Sequence, residues 1–172
     1  MFHNPEIALE ELPSADDVDW QALHPDYVQR IRLQVIIVVA FIGVAITALN
    51  LVPGIPLLVF VALYTLLAIF AIFLFMWPGI AIPRQGYAVR ARDILFRKGV
   101  IWRSVTAVPF NRIQHVETSS TPLDRKYSLA TLQLFTAGGS SGDLKINGLD
   151  KKVAEELRVF ILGKVGNIVE NA

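Results

Sequence analysis

Residues 33–83 read LQVIIVVAFIGVAITALNLVPGIPLLVFVALYTLLAIFAIFLFMWPGIAIP, and none of these 51 positions is Lys, Arg, Asp, Glu or His. Residues 33–52 give 20 and residues 57–77 give 21, each close to the roughly 20 helical residues that cross a ~30 Å hydrocarbon core. Between them Pro53-Gly54-Ile55-Pro56 would break a continuous helix, because two prolines remove donors and clash with the preceding turn. The stretch therefore reads as a hairpin of two membrane spans.

The residues that flank it set a direction. Arg30 and Arg32 precede the first span, Arg84, Arg90 and Arg92 follow the second, and the connection at 53–56 is uncharged. The positive-inside rule then places both termini in the cytoplasm, with the connection facing outward. Residues 1–32 form an acidic cytoplasmic leader without the basic start of a secretory signal, so no cleavage is expected. Its 6–19 portion is polar, is broken by Pro13 and reads as disordered. Trp20, Leu23, Tyr27 and Ile31 recur at three and four, which suggests a short amphipathic segment leading into the membrane and packing on the bilayer surface or on the C-terminal domain, with Pro25 as its start or a break.

Ala40, Gly43, Thr47 and Asn50 fall on one stripe of the first span; Tyr64, Thr65, Ala68 and Ala71 offer a similar stripe on the second. Small residues let helix backbones approach and hydroxyl or amide groups bridge them, so both stripes are candidate helix-packing surfaces. A transport pathway would want ionisable groups inside the membrane, and the spans have none. Trp77 occupies an interfacial position, and Pro78-Gly79 is read as the end of the second helix.

Residues 78–172 change character, with fourteen Lys and Arg against eight Asp and Glu. Short β-branched runs at 87–90, 94–97, 100–108, 112–118, 130–137 and 143–147 read as six strands, and a seventh is possible within 119–128. Lys98-Gly99 marks a hairpin tip. Asp150 is a credible N-cap for a final helix, with Val153, Leu157, Phe160 and Ile161 as its apolar stripe and Gly163 as its stop. One such helix after an antiparallel meander suggests a strongly bent sheet or small barrel that the helix plugs.

Tyr87-Ala88-Val89-Arg90, Gly99-Val100-Ile101-Trp102-Arg103 and above all Val108-Pro109-Phe110-Asn111-Arg112-Ile113-Gln114-His115-Val116-Glu117 resemble the YdbS-like family of bacterial pleckstrin-homology (PH) domain-containing membrane proteins. The likeness continues through Pro122-Leu123, Leu129-Ala130-Thr131-Leu132, Thr136-Ala137-Gly138-Gly139 and the 146–149 run, and it covers about residues 20–163. Ser128 stands where members often carry glycine, which bears on the local turn. The resemblance implies an α+β membrane protein: a two-helix transmembrane hairpin, then a PH-like bent antiparallel sheet capped by a C-terminal helix. It also implies residence in the bacterial inner membrane, no established enzymatic activity, a suggested role in envelope protection, and a companion that is a second copy or a sibling PH-domain membrane protein.

Arg90, Arg92, Arg97, Lys98 and Arg103 follow a span that exits into the cytoplasm, where an anionic leaflet attracts each nearby cation by about 1 kcal/mol. They are the candidate lipid- or partner-binding residues. Without cysteine, thiolate metal sites and cysteine nucleophiles are excluded. His115 and Glu117 lie two apart on a strand, but no further ligand spacing accompanies them, and neither a metal nor a cofactor is expected. The 138–142 loop lacks the Gly-Lys-Ser/Thr ending of a phosphate loop, and Ser119, Ser120, Ser140 and Ser141 have no evident base. Asp124-Arg125-Lys126 reads as a solvated turn, and the local balance of charge gives nucleic-acid binding little support. The expectation is a non-enzymatic protein presenting a PH-like module to the membrane or to a protein partner. The rivals are a small membrane-bound enzyme, for which no catalytic set is visible, and an accessory subunit of a transporter.

Overall fold

The computed structural model describes residues 18–139 and 142–170; most of the acidic leader, together with Ser140 and Ser141, lies outside the described residues. Strand β1 (Gln21–Ala22) precedes the spans, yet it pairs antiparallel with β2 (Gly86–Val89), which follows them, with Gln21 opposite Tyr87 and Ala22 opposite Gly86. Between the two strands the chain leaves the sheet as α1 (Asp26–Leu49) and returns as α2 (Leu57–Ala81). The helical hairpin is thus an insertion between two neighbouring strands, and the module has residues on both sides of it.

That arrangement differs from a separate leader followed by a module beginning at residue 78. Trp20 and Leu23 do not share a helix with Tyr27 and Ile31: Leu23 enters the core of the module, and Pro25 caps a helix that runs from Asp26 straight into the first span. At the other end α2 passes through Pro78-Gly79 to Ala81. Proline's fixed φ is helical, so the loss is one donor, and the Ile82 amide restores the ladder by donating to the Pro78 carbonyl. Neither helix has the burial of a soluble core helix. No residue of α1 is buried, and only Phe60 and Pro78 of α2 are. Their exposed apolar surface needs a hydrocarbon solvent.

Strands β1, β2, β3 (Asp93–Lys98) and β4 (Ser104–Pro109) form one antiparallel sheet in that order, and β5 (Ile113–Ser119), β6 (Leu129–Thr136) and β7 (Leu144–Asp150) form a second. The seventh strand is therefore β1; residues 119–128 instead hold the short helix α3 (Pro122–Lys126), because Thr121 and Asp124 build a reciprocal capping box around Pro122. The run at 100–108 becomes a strand only from Ser104, since residues 99–103 are spent on the turn. Helix α4 (Lys151–Glu170) closes the space between the sheets, and the Lys152 amide donates to Asp150 Oδ1 at 2.8 Å as the sequence suggests.

The core joins both sheets to α4: Ile94, Phe110, Leu132, Ile146 and Ile161 are fully buried, each worth about 1.5–3 kcal/mol. The buried stripe of α4 is Ala154 and Ile161 with Leu157 and Val165 beside them. Phe160 stays at the rim, edge-on to Phe110 at 6.0 Å, and Gly163 lies within the helix rather than at its end.

Among the described non-glycine residues only Ser128 has a positive φ, 55°. Its carbonyl accepts from the Lys151 amide at 3.0 Å, so the left-handed turn carries β6 back against the start of α4. A side chain in this region costs about 1–2 kcal/mol, offset in part by the greater freedom of unfolded glycine. Ser128→Gly is therefore expected to raise stability by about 0.5 kcal/mol, measured by denaturant or thermal unfolding. A destabilised variant would refute the strain argument.

Candidate functional site

The five basic residues singled out in the sequence do not form one cluster. β2 and β3 pair with Gly86 opposite Arg97 and Val89 opposite Ile94, so Arg90 and Arg92 lie at one end of the hairpin while Arg97 and Lys98 lie at the other. The two ends are roughly 17 Å apart at about 3.4 Å per residue. At the far end Arg90 is held by Asp93 through two bonds, Nε at 2.7 Å and Nη2 at 2.5 Å, and the Arg92 carbonyl accepts from the Phe110 amide at 3.0 Å.

The near end is where α2 delivers the chain to the sheet. There Arg97, Lys98 and Arg103 line a recess of about 320 Å3 together with Pro83, Arg84, Gly99, Ser104 and Val105. Four cations and no carboxylate line it. Arg84 is a site residue that the sequence reading used only as a topology signal; the clue available was its place two residues before the strand that pairs with Arg97. The side chain of Arg97 lies over Gly86, where an added Cβ would come 3.2 Å from its Nε, and its guanidinium stacks on the Trp20 ring at 4.7 Å. Stacking orients the planar fork but offers no acceptor. Arg97 Nε is buried and has no hydrogen-bond partner among the described residues. Four cations lining one recess without a carboxylate are suited to an anionic group.

A second constellation sits at the junction of membrane and module. Arg30, in the second turn of α1, donates from Nε to Asp124 Oδ1 at 2.7 Å, and the two side chains are 13% and 8% exposed. Asp124 Oδ2 accepts from the Thr121 hydroxyl at 2.6 Å and the Thr121 amide at 2.9 Å, and Arg30 also reaches Gln34 and Thr121. Asp124 is therefore a buried ion-pair partner and not part of a solvated turn. Its Thr-x-x-Asp spacing was a legible cap signature. Arg32, by contrast, stays on the hairpin, 4.9 Å above the Phe75 ring.

In the spans the Thr47 hydroxyl and the Tyr64 hydroxyl are hydrogen-bonded at 2.7 Å, joining the two stripes at one point, and Thr65 turns back to the Val61 carbonyl. Gly43 and Ala71 are half-buried, whereas Ala40, Asn50 and Ala68 are exposed. Ala40 and Ala71 border an apolar groove of about 440 Å3 on the hairpin.

His115 and Glu117 are exposed, with the imidazole 5.7 Å from the Phe135 ring. Ser119 and Ser120 border a groove of about 670 Å3 at the start of α4, lined also by Lys151, Lys152, Glu155 and Glu156. Its charges balance, and the Ser120 hydroxyl is committed to the Leu129 carbonyl at 2.9 Å. Among the described residues no group of His, Asp and Glu is arranged to hold a metal ion.

Among the described residues, two apolar helices inserted into the first sheet of a seven-stranded, helix-capped fold define a membrane-anchored PH-like module. The bacterial PH domain family matches residues 33–165, and the chain belongs to that family. It is also 33% identical over 84 residues to the transmembrane protein YdbS of Bacillus subtilis (strain 168), a match covering 49% of this chain and 51% of that relative. The match thus spans about half the length of the relative. No solved structure matches significantly. The chain is a membrane protein of the YdbS-like kind, with a bacterial PH domain.

Proposed function

We propose that the module is a non-catalytic receptor for anionic phospholipid headgroups at the cytoplasmic face of the bacterial inner membrane. The observation that carries this reading is the recess formed by Arg84, Arg97, Lys98 and Arg103 beside the exit of α2. With both termini cytoplasmic, as the flanking arginines favour, that recess lies at the surface of the leaflet. An anionic headgroup there is drawn in by the four cations and can be held by their charge-assisted hydrogen bonds. Holding such a lipid would tie the position of the module to the composition of its own membrane, a property suited to a role in envelope maintenance.

Lys98 and Arg103 are exposed, whereas Arg97 is engaged with Trp20, so the first two can be removed without disturbing the packing. At about 1 kcal/mol each, Lys98→Ala with Arg103→Ala is expected to weaken binding of short-chain phosphatidylglycerol to the delipidated full chain by roughly 30-fold at low salt. Phosphatidylcholine binding should not change, and added salt should shrink the difference. Equal phosphatidylglycerol affinity in parent and variant at low salt would remove the basis of the proposal.

A further inference from the structure

The tip of the β3–β4 hairpin carries a second feature that headgroup binding does not use. Ile101 and Trp102 are 73% and 87% exposed, and neither belongs to the core of the module. We infer that Ile101 and Trp102 are seated in the interfacial layer of the bilayer that the two spans cross, giving the module an attachment to the membrane separate from its covalent link to the spans. The inference rests on the chain being a membrane protein and does not require the recess to bind a headgroup.

Register supplies the direction. β2 begins at Gly86, just after the exit of α2, and runs away from it; β3 returns until Arg97 stands level with Gly86. Residues 99–103 therefore project past that level, toward the side from which α2 arrives. The recess gives an independent check, because Pro83 and Arg84 from the exit line it together with Gly99 and Arg103 from the tip. The shape of the tip is preset. Gly99 has φ +109°, and a Cβ there would lie 1.8 Å from the Trp102 carbonyl oxygen, so the turn folds tightly back on itself and leaves the two apolar side chains outside.

Chemistry selects the occupant. A tryptophan ring with an apolar body and one N–H donor is favoured at headgroup depth, and Lys98 and Arg103 on either side can bury their stems while their charges stay at the surface. Exposed apolar residues framed by cations are the signature of a segment lying in an anionic interface. A second copy of the chain docking tip to tip would instead bring two sets of Arg84, Arg97, Lys98 and Arg103 together, which like-charge repulsion opposes.

Because the chain has no cysteine, Ile101→Cys and Ala91→Cys each give one labelling site in the full-length protein. Ala91 is exposed at the opposite end of the β2–β3 hairpin and serves as the aqueous reference. With nitroxide labels on the reconstituted chain, the ratio of oxygen to water-soluble nickel-complex collisions is expected to be several-fold higher at 101 than at 91. The same contrast at Trp102→Cys would guard against a local effect of the Ile101 substitution. A high ratio in pure phosphatidylcholine supports insertion whatever the recess binds, and a high ratio only with phosphatidylglycerol supports an insertion that depends on anionic lipid. Equal ratios at 101 and 91 in both bilayers would overturn the inference. So would a label at 101 shielded from both reagents, with dipolar broadening that vanishes on dilution with unlabelled chain, since that pattern means contact between copies.

Discussion

Asp124→Ala is expected to lower the stability of the full chain by about 3 kcal/mol, read as a fall of about 8 °C in the thermal midpoint in mild detergent. The substitution leaves the Arg30 guanidinium largely buried without its carboxylate and opens the cap of α3. Removing one partner of a buried pair generally costs about 3–5 kcal/mol, and the lower end applies because Arg30 retains Gln34 and Thr121. Arg30→Met combined with Asp124→Leu should lie closer to the parent than Asp124→Ala does, since no charge is then stranded. The pair should also respond to acid. Burial pushes the Asp124 carboxyl up, but bonds from the Thr121 hydroxyl and amide and from Arg30 outweigh it and hold the pKa below its ordinary 3.8. With the folded-state value depressed, the stabilisation is complete above the unfolded-state value and is lost as pH falls through the folded one. Parent and Asp124→Ala should therefore converge in stability below about pH 4. A variant melting within a degree of the parent at neutral pH would show that the pair does not couple α1 to the module.

The reason this pair escaped the sequence reading is the distance between its halves. Arg30 and Asp124 are 94 positions apart, and each has a sufficient local explanation: an arginine beside a span orients it, and an aspartate before Arg125-Lys126 looks solvated. The spans themselves were legible because hydrocarbon imposes one rule on a long run of residues, the absence of charge. The strands β3, β5 and β6 were legible because β-branched and aromatic runs between turn residues have few other uses. β1 was not, since two residues carry no period and its partner β2 comes after the whole hairpin. The recess was half legible. Arg97, Lys98 and Arg103 announce themselves around Gly99, but the separation of Arg90 and Arg92 from them follows from strand register, and the recruitment of Arg84 follows from the 3-10 turn Ile82–Arg84 that joins α2 to β2.

Gly148→Ala tests the same junction from the side of the second sheet, and it is expected to cost about 2–5 kcal/mol. Between the pairs Ala130–Leu149 and Leu132–Ile146, Thr131 of β6 faces both Asn147 and Gly148 of β7, so Gly148 sits in a bulge. There it takes φ +73°, and its carbonyl accepts from the His24 amide at 2.9 Å. A Cβ at this position would stand 2.3 Å from Cγ and 2.9 Å from Cβ of Tyr27, in the first turn of α1. Alanine would thus add about 1–2 kcal/mol of backbone strain to about 1–3 kcal/mol of overpacking against the Tyr27 side chain. The two contributions are separable. In a Tyr27→Ala background the ring contacts disappear, while the backbone strain and the 2.9 Å contact with the Cβ at position 27 remain, so Gly148→Ala should cost about 2 kcal/mol there, less than in the parent. The comparison requires thermal or denaturant unfolding of all four chains under one set of conditions. Equal costs in both backgrounds would mean that Tyr27 does not rest on Gly148, and the close seating of the first membrane helix on the module would have to be abandoned.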